Sequence, residues 1–321
     1  MKSSSFPRLV ADVGGTNVRF ASQYVAQGPL MGMASYACAD FATLWDALQH
    51  HLAARGEGRP RWCAIGIATA ITGDHVQMTN HHWGFSIAAL QQALGAERLV
   101  VLNDFTALAL SLPALAPEAR RQVGGGAAVD GAPLGLVGPG TGLGVSGLLA
   151  GQLAIGGEGG HVTLSSCEPE EDAVLKVLQR RFGHVSAERA LSGPGLENLY
   201  RALAEVRGQP EAPLDAKDIS SAALDASNPL AVAALQLFCS LLGNVAGNVA
   251  LTLGARGGLY IGGGIVPRLG EWFDHSRFRE RFEAKGRFRS YLQAIPTYVV
   301  QAGDQAALLG ASRALDAGAH H

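Results

Sequence analysis

Leu9-Val10-Ala11-Asp12-Val13-Gly14-Gly15-Thr16-Asn17-Val18-Arg19-Phe20-Ala21 sets a two-glycine turn between two short apolar runs. The runs, Leu9 to Asp12 and Val18 to Ala21, read as strands, and Gly14-Gly15-Thr16-Asn17 reads as the turn of a hairpin. Two glycines let main-chain N–H groups approach phosphate oxygens closely, and a threonine hydroxyl adds a donor. Asp12, ending the first strand, could hold a magnesium ion through water, because magnesium gives up its hydration reluctantly. The segment is not a Walker A loop, since the chain has no Gly-Lys pair. It is not the dinucleotide fingerprint either, because a second strand pattern follows where that motif needs a helix. An ordinary hairpin turn has the same appearance, so the turn alone does not decide function.

The same unit recurs. Gly138-Pro139-Gly140-Thr141-Gly142-Leu143-Gly144 is again strand, glycine turn with threonine, strand. Four glycines in those seven residues exceed what a hairpin needs. A third cluster, Gly262-Gly263-Gly264, follows the run from Leu259 and could bring a nucleotide base or ribose close to the backbone. Together the three turns favour a nucleotide gripped by two domains.

Around the first turn, strand and helix patterns alternate, as in a layered α/β domain. Phe41, Leu44, Trp45, Leu48 and Leu52 share one face of an amphipathic helix over 41–54. Trp62 to Ala68 and Arg98 to Leu102 are strand candidates, Ser86 can cap a helix carrying Leu90 and Leu94, and a helix is expected from Thr106 to Leu112. Pro113, Pro117, Gly124 to Gly126 and Gly131 mark a boundary region at 113–133. Beyond it come strands around 134–155, helices near 170–182 and 196–206, and an almost uncharged helix at 229–253 that reads as a central, buried element. A late strand spans Thr297 to Val300. The last helix, 304–316, has room to pack back on the first domain. The expected division is 1–113 plus 303–321 as a smaller α/β domain and 114–302 as a larger one.

Composition bounds what such a protein does. Glycine supplies 42 of 321 residues against a usual share of about 7%, without a collagen-like period. The net charge of −2 leaves no basic surplus to hold a nucleic-acid backbone. The N-terminal segment lacks the apolar run of a secretory signal before Arg8 and Asp12, and no uninterrupted apolar stretch of about 18 residues suggests a membrane span. Cys38, Cys63, Cys167 and Cys239 lie far apart, which fits reduced thiols. A soluble cytoplasmic protein is expected. The histidine pairs at 50–51, 81–82 and 320–321 read as surface residues.

Acid–base candidates come next. Asp104 stands at a strand end beside Asn103, where a carboxylate can take a proton from an attacking hydroxyl. The competing reading makes Asp104 the cap of the following helix. In Gly156-Gly157-Glu158-Gly159-Gly160-His161, a glutamate and a histidine sit among four glycines, a segment suited to hydrogen-bonding a polyol. A metal pair is the poorer alternative, for want of a third ligand at helical spacing. Glu188, in His184-Val185-Ser186-Ala187-Glu188-Arg189, is a further candidate, whose bland reading is a carboxylate in the first turn of a helix.

The set DVGGTNVRF, ITGDHVQMTNHHWGFS, LNDFTALA, GPGTGLGV, GGEGGHV, GHVSAERALSGPGL, GGIVPR and KGRF resembles the bacterial glucokinases of the hexokinase-like, actin-type ATPase superfamily. The match runs in order from about residue 10 to 310. The resemblance implies two α/β domains of the ribonuclease H-like, actin-like ATPase fold with a central cleft. It also implies ATP with magnesium, transfer of the γ-phosphoryl group to the 6-hydroxyl of glucose to feed glycolysis, and a homodimer. It makes Asp104 the general base and a substrate contact, with Asn103, Glu158, His161 and Glu188 binding the sugar. The same resemblance places the nucleotide on Ala11, Asp12, Val13, Gly14, Gly15, Thr16 and Asn17, on Gly138, Gly140, Thr141 and Gly142, and on Gly262, Gly263 and Gly264. Asp12 would hold magnesium through water.

The related repressor, kinase and open-reading-frame family usually carries a cysteine-rich zinc loop after its sugar-binding histidine. Here His161 is followed by Val-Thr-Leu-Ser-Ser-Cys, so structural zinc is not expected. A repressor's helix-turn-helix ahead of the first strand is not expected either. The segment Asn80-His81-His82-Trp83 is a local departure with no assigned contact. Two other readings stay open. A kinase for fructose or an N-acetylhexosamine would keep the loops and Asp104 but change the sugar-reading residues. A non-catalytic sugar sensor would have lost Asp104 or the loops, and neither is lost.

Overall fold

β1 (Arg8–Val13) and β2 (Asn17–Gln23) form the expected hairpin, pairing antiparallel with Asp12 opposite Arg19 and Val13 opposite Val18. The computed structural model describes residues 5–56, 58–79, 81–149 and 153–317. Asn80, His320 and His321 lie outside the described residues. The chain divides into two units, Met1–Ala116 with Gly151–Gly156 and Ala302–His321, and Pro117–Ala150 with Gly157–Gln301.

In the first unit the hairpin is joined by β3 (Met31–Ala37), α1 (Leu44–Arg55), β4 (Trp62–Ile67) and the small ribbon of β5 (His75–Gln77) and β6 (Gly84–Ser86). α2 (Ile87–Leu94), β7 (Arg98–Asn103) and α3 (Asp104–Ser111) follow. The sheet order is β3-β2-β1-β4-β7, antiparallel across the first three strands and parallel across the last three. β1 and β4 are apolar on both faces because both faces are covered. Leu9, Ala11, Val13, Cys63, Ile65 and Ile67 share one core with Leu44 and Leu48 of α1.

α1 starts three residues later than the spacing suggests, because Thr43 accepts the Asp46 amide and caps it there. His51, expected at the surface, is fully buried. It meets the Tyr36 hydroxyl at 3.2 Å and stacks on Phe20. Its position seven residues from Leu44 and four from Ala47 puts it on the same helix face as those core residues.

The second unit contains β8 (Arg120–Val123), β9 (Leu134–Pro139) and β10 (Leu143–Leu149). The short β11 (Leu153–Ile155) returns to the first unit. α4 (Pro169–Phe182), α5 (Gly193–Arg207), α6 (Ala216–Leu224) and α7 (Pro229–Leu253) then lead to β12 (Gly258–Ile261), three short helices α8 (Glu271–Asp274), α9 (Phe278–Glu283) and α10 (Arg289–Gln293), and β13 (Thr297–Val300). The order β10-β9-β12-β13 is antiparallel, then parallel, then parallel, and β8 adds antiparallel to β13. The boundary region 113–133 thus also contributes an edge strand.

α7 matches the expected 229–253. It is long and apolar enough to cross a membrane, but 83% of its most apolar window is buried in the protein, which makes it a core helix. Gly243 and Gly247 of α7 let the main chain of α9 approach closely, a Cβ on Gly247 falling 2.7 Å from the Phe282 carbonyl oxygen.

α11 (Asp304–Ala317) belongs to the first unit. Leu308, Ala311 and Leu315 cover Val10, Ala21 and Ala64, the face of the first sheet opposite α1. Gly310 lies directly on the Ala107 carbonyl of α3, where no side chain fits. That close crossing fixes the start of α3, and with it Asp104.

Candidate functional site

In the first unit, Asn103 ends β7 and caps α3: its side-chain oxygen accepts the amides of Phe105 at 2.9 Å and Thr106 at 3.2 Å. Its amide nitrogen donates to the Thr69 carbonyl at 3.4 Å. The capping role that competed for Asp104 therefore belongs to Asn103. Asp104 is the first residue of α3, half-buried, with one carboxylate oxygen 2.8 Å from the Phe105 amide. A negative charge there is favoured by the positive end of the helix.

The first glycine turn is closed by the Gly14 amide on the Asn17 carbonyl at 2.9 Å, and the Thr16 carbonyl accepts the Cys38 amide at 2.8 Å. Thr16 is exposed, and Gly14, Gly15 and Asn17 are half-exposed. Ala11 and Val13 are fully buried with their side chains in the core, so only their backbone is available to a ligand. Asp12 forms an ion pair with Arg19 at 3.2 Å. No group of three His, Cys, Asp or Glu gathers at metal-binding spacing among the described residues. The Asp12 carboxylate is an oxygen donor of the kind that a hard, hydrated cation takes.

The second unit brings more of the candidates together. The Gly140 amide closes its turn on Gly142, and the Gly140 carbonyl accepts the Gly193 amide, both at 2.8 Å. Gly262 donates to Val137 at 2.8 Å, and Ile265 to Pro139 at 3.2 Å, so the third glycine cluster lies backbone-to-backbone on β9. Gly263 has a φ of 75° and no room for a Cβ beside the Pro139 carbonyl. Thr141 and Gly264 are exposed, while Gly138 is buried.

Glu188 lies in a single 3-10 turn, Ala187–Arg189, capped by Ser186. Its carboxylate is committed, accepting the Leu143 amide at 2.9 Å. Glu158 precedes another 3-10 turn, Gly159–His161, which His161 ends; both side chains are more than half exposed, with the His161 Nε2 at 3.9 Å from the Glu158 carboxylate. Their segment is joined to that of Glu188 by a bridge of Thr163 with Ser186, by the Leu164 amide on Val185 at 2.9 Å and by the Ala187 amide on Val162 at 2.9 Å. Behind it, Arg277 grips Glu168 with two hydrogen bonds of 2.9 and 2.6 Å. Arg281 reaches both Glu168 at 3.1 Å and the buried Glu171 at 3.2 Å. The Arg277 hydrogen bonds, aided by the nearby charges of Arg277 and Arg281, hold the Glu168 carboxyl below its ordinary range.

Exposed carboxylate, imidazole and glycine amides in one frame can bind hydroxyls and phosphate oxygens. Leu143, Ser192 and Gly193 do not stand out in the sequence, because their contribution is a backbone group or a cap rather than side-chain chemistry. Ser192, followed by Gly193-Pro194, is readable there only as a helix start.

A family model described as glucokinase matches residues 9–318. A glucokinase of Aromatoleum aromaticum is 54% identical over 318 residues, covering 98% of this chain and 96% of its own length. A glucokinase of Chromobacterium violaceum is 50% identical, covering 92% of this chain and 86% of its own. The crystal structure of a glucokinase from an Antarctic psychrotroph superimposes with a TM-score of 0.88 at 36% identity, covering 97% of this chain and 98% of that one.

Proposed function

This chain belongs to the glucokinase family, and from that premise we propose how its residues divide the work. It is a two-domain actin-like ATPase fold that phosphorylates glucose, with ATP as the phosphoryl donor. Phosphoryl transfer asks little covalent chemistry of a protein, so positioning and charge stabilisation dominate. Asp104 orients the 6-hydroxyl of the sugar and accepts its proton as the bond to phosphorus forms. The observation that carries this assignment is the helix cap: Asn103 supplies it with two amides, so the cap alone does not account for an acid at Asp104.

Glu158, His161 and Glu188 hydrogen-bond the other hydroxyls, and Asn103 adds its amide. The amides of 14–17 and 138–142 receive the phosphates, and 262–264 the adenosine. Magnesium would be held by Asp12 through water, and when bound it neutralises phosphate charge. The Arg19 guanidinium pairs with that carboxylate at 3.2 Å. A cytoplasmic homodimer without nucleic-acid or membrane partners completes the reading, the net charge of −2 supporting the absence of a nucleic-acid partner.

ATP-dependent turnover across a panel of hexoses tests it. Glucose should give the highest kcat/KM. A higher value for fructose or an N-acetylhexosamine would reassign the sugar, and no turnover with any hexose would favour a sensor.

A further inference from the structure

The two sugar-reading segments do not merely lie near the second glycine turn; both hold one residue of it. The Leu143 amide donates to the Glu188 carboxylate at 2.9 Å. The Leu143 carbonyl lies against Gly160, where a Cβ would overlap the oxygen, and Gly159 presses on Val145 with only 2.8 Å for a Cβ. Gly142 faces the same Glu188 oxygen, again with no space for a methyl group. A second route closes the circle: the Ser192 hydroxyl donates to the Glu188 carbonyl at 2.9 Å, and the neighbouring Gly193 amide donates to Gly140 at 2.8 Å. One ring of hydrogen bonds thus contains a sugar-reading carboxylate and both ends of the loop over Gly140 to Leu143. Leu143 itself is 5% exposed, so its backbone has no water to substitute for these partners.

We infer that Glu188 is a positioning residue that couples sugar occupancy to the shape of the phosphate loop through the Leu143 amide. This rests on the reading above that Glu188 binds sugar and 138–142 binds phosphate. With one carboxylate oxygen on the Leu143 amide, a sugar hydroxyl on the other locks the carboxylate in place. The loop is then ordered before the nucleotide arrives, and the nucleotide binds tighter by the ordering it no longer has to supply. Linkage makes the effect reciprocal, so nucleotide tightens glucose by the same factor.

The test is the affinity of a non-hydrolysable ATP analogue with magnesium, titrated calorimetrically with and without saturating glucose. The ratio of the two affinities is the readout, because general weakening of the loop lowers both and leaves the ratio alone. The unaltered enzyme should show a ratio of at least about fivefold, the lower end for such couplings. Gly142→Ala, whose methyl group displaces the carboxylate, should bring the ratio within about twofold of one. Glu188→Ala, measured at glucose levels raised to saturation, should do the same if Gly142→Ala does not fold. Glu188→Gln keeps an acceptor for the Leu143 amide and should bind glucose more weakly with the ratio retained. A ratio near one in the unaltered enzyme, or an unaltered ratio in Gly142→Ala or Glu188→Ala, overturns the inference. Unchanged glucose affinity in Glu188→Ala would instead remove Glu188 from the sugar site, a separate failure.

Discussion

The two glycine turns sit at the same place in the same strand order and are held in different ways. In the first unit β2-β1-β4-β7 runs antiparallel, parallel, parallel, and in the second β10-β9-β12-β13 repeats it. The turn at 14–17 is closed by its own hairpin, is braced by Cys38, and carries the Asp12–Arg19 pair at its base. A Cβ on Gly14 would stand 3.3 Å from its nearest neighbour, a tight but tolerable contact. The turn at 140–142 has no charge of its own. Its neighbours Gly193, Glu188 and Gly263 hold it; Gly263 admits no side chain beside the Pro139 carbonyl, and a side chain at Gly142 would have to displace the Glu188 carboxylate. The same strand order thus carries two turns braced differently, the first by its own hairpin and the second by backbone and a carboxylate from other segments.

The largest expected effect falls on the carboxylates. Asp104→Asn should lower kcat by at least about 10²-fold, the lower end for loss of a general base, with an unchanged circular dichroism spectrum. Near-normal turnover would remove the chemistry from the first unit.

The glycines sharpen the contrast next. Gly263→Ala combines a left-handed backbone with a clash on Pro139 and should cost about 1–3 kcal/mol in denaturant unfolding. Gly14→Ala should cost less than about 1 kcal/mol, since its φ lies outside the left-handed region and its neighbour has only to give slightly. Equal costs would mean that the two turns are held alike.

Most of the proposed sugar contacts, Glu158, His161 and Glu188, lie in the second unit. Glu158→Gln should raise the glucose KM several-fold while the ATP KM changes less than about twofold, because a buried sugar hydroxyl loses about 1–3 kcal/mol without its partner. Matching rises in both would count against that segment as a sugar reader.

Legibility in the sequence differs between fold and site. The hairpins and α7 can be read there because apolar runs around a glycine turn, or on every face of a helix, are compatible with few folds. β3 cannot: Met31-Gly-Met-Ala-Ser-Tyr-Ala offers small residues half-exposed on the sheet rather than an apolar run. β8, Arg120-Arg-Gln-Val, is an edge strand whose arginines bind Asp274 and the buried Tyr260 hydroxyl, so nothing in its pattern marks it as a strand. At the site, carboxylates and glycines announce themselves. The roles of Leu143 and Gly193 do not, since a backbone amide is the same in every residue.

A smaller effect concerns acid. The carboxyl of Glu168 is held below its ordinary value of 4.5, so its contribution to stability is full above that pH and fades as pH falls through the lowered value. The gap in thermal midpoint between the unaltered protein and Glu168→Gln should therefore be constant from pH 7 to about 5 and close below 4.5. A gap that widens in acid would contradict the ion pair. The smallest effect is chemical. Burial pushes the thiols of Cys63 and Cys239 up to about 12, and Cys38 is buried as well, whereas Cys167 is exposed. A thiol reagent at about pH 7.5 should label Cys167 before the three buried thiols, as read by mass spectrometry of peptides.

The division of labour is tested most directly by titrating glucose into Asp104→Asn in a calorimeter. If the first unit supplies the base and the second reads the sugar, glucose should bind this variant within about tenfold of its affinity for the unaltered enzyme, because only one hydroxyl contact is weakened. Loss of glucose binding in proportion to the loss of turnover would contradict that division and make Asp104 chiefly a sugar-binding residue.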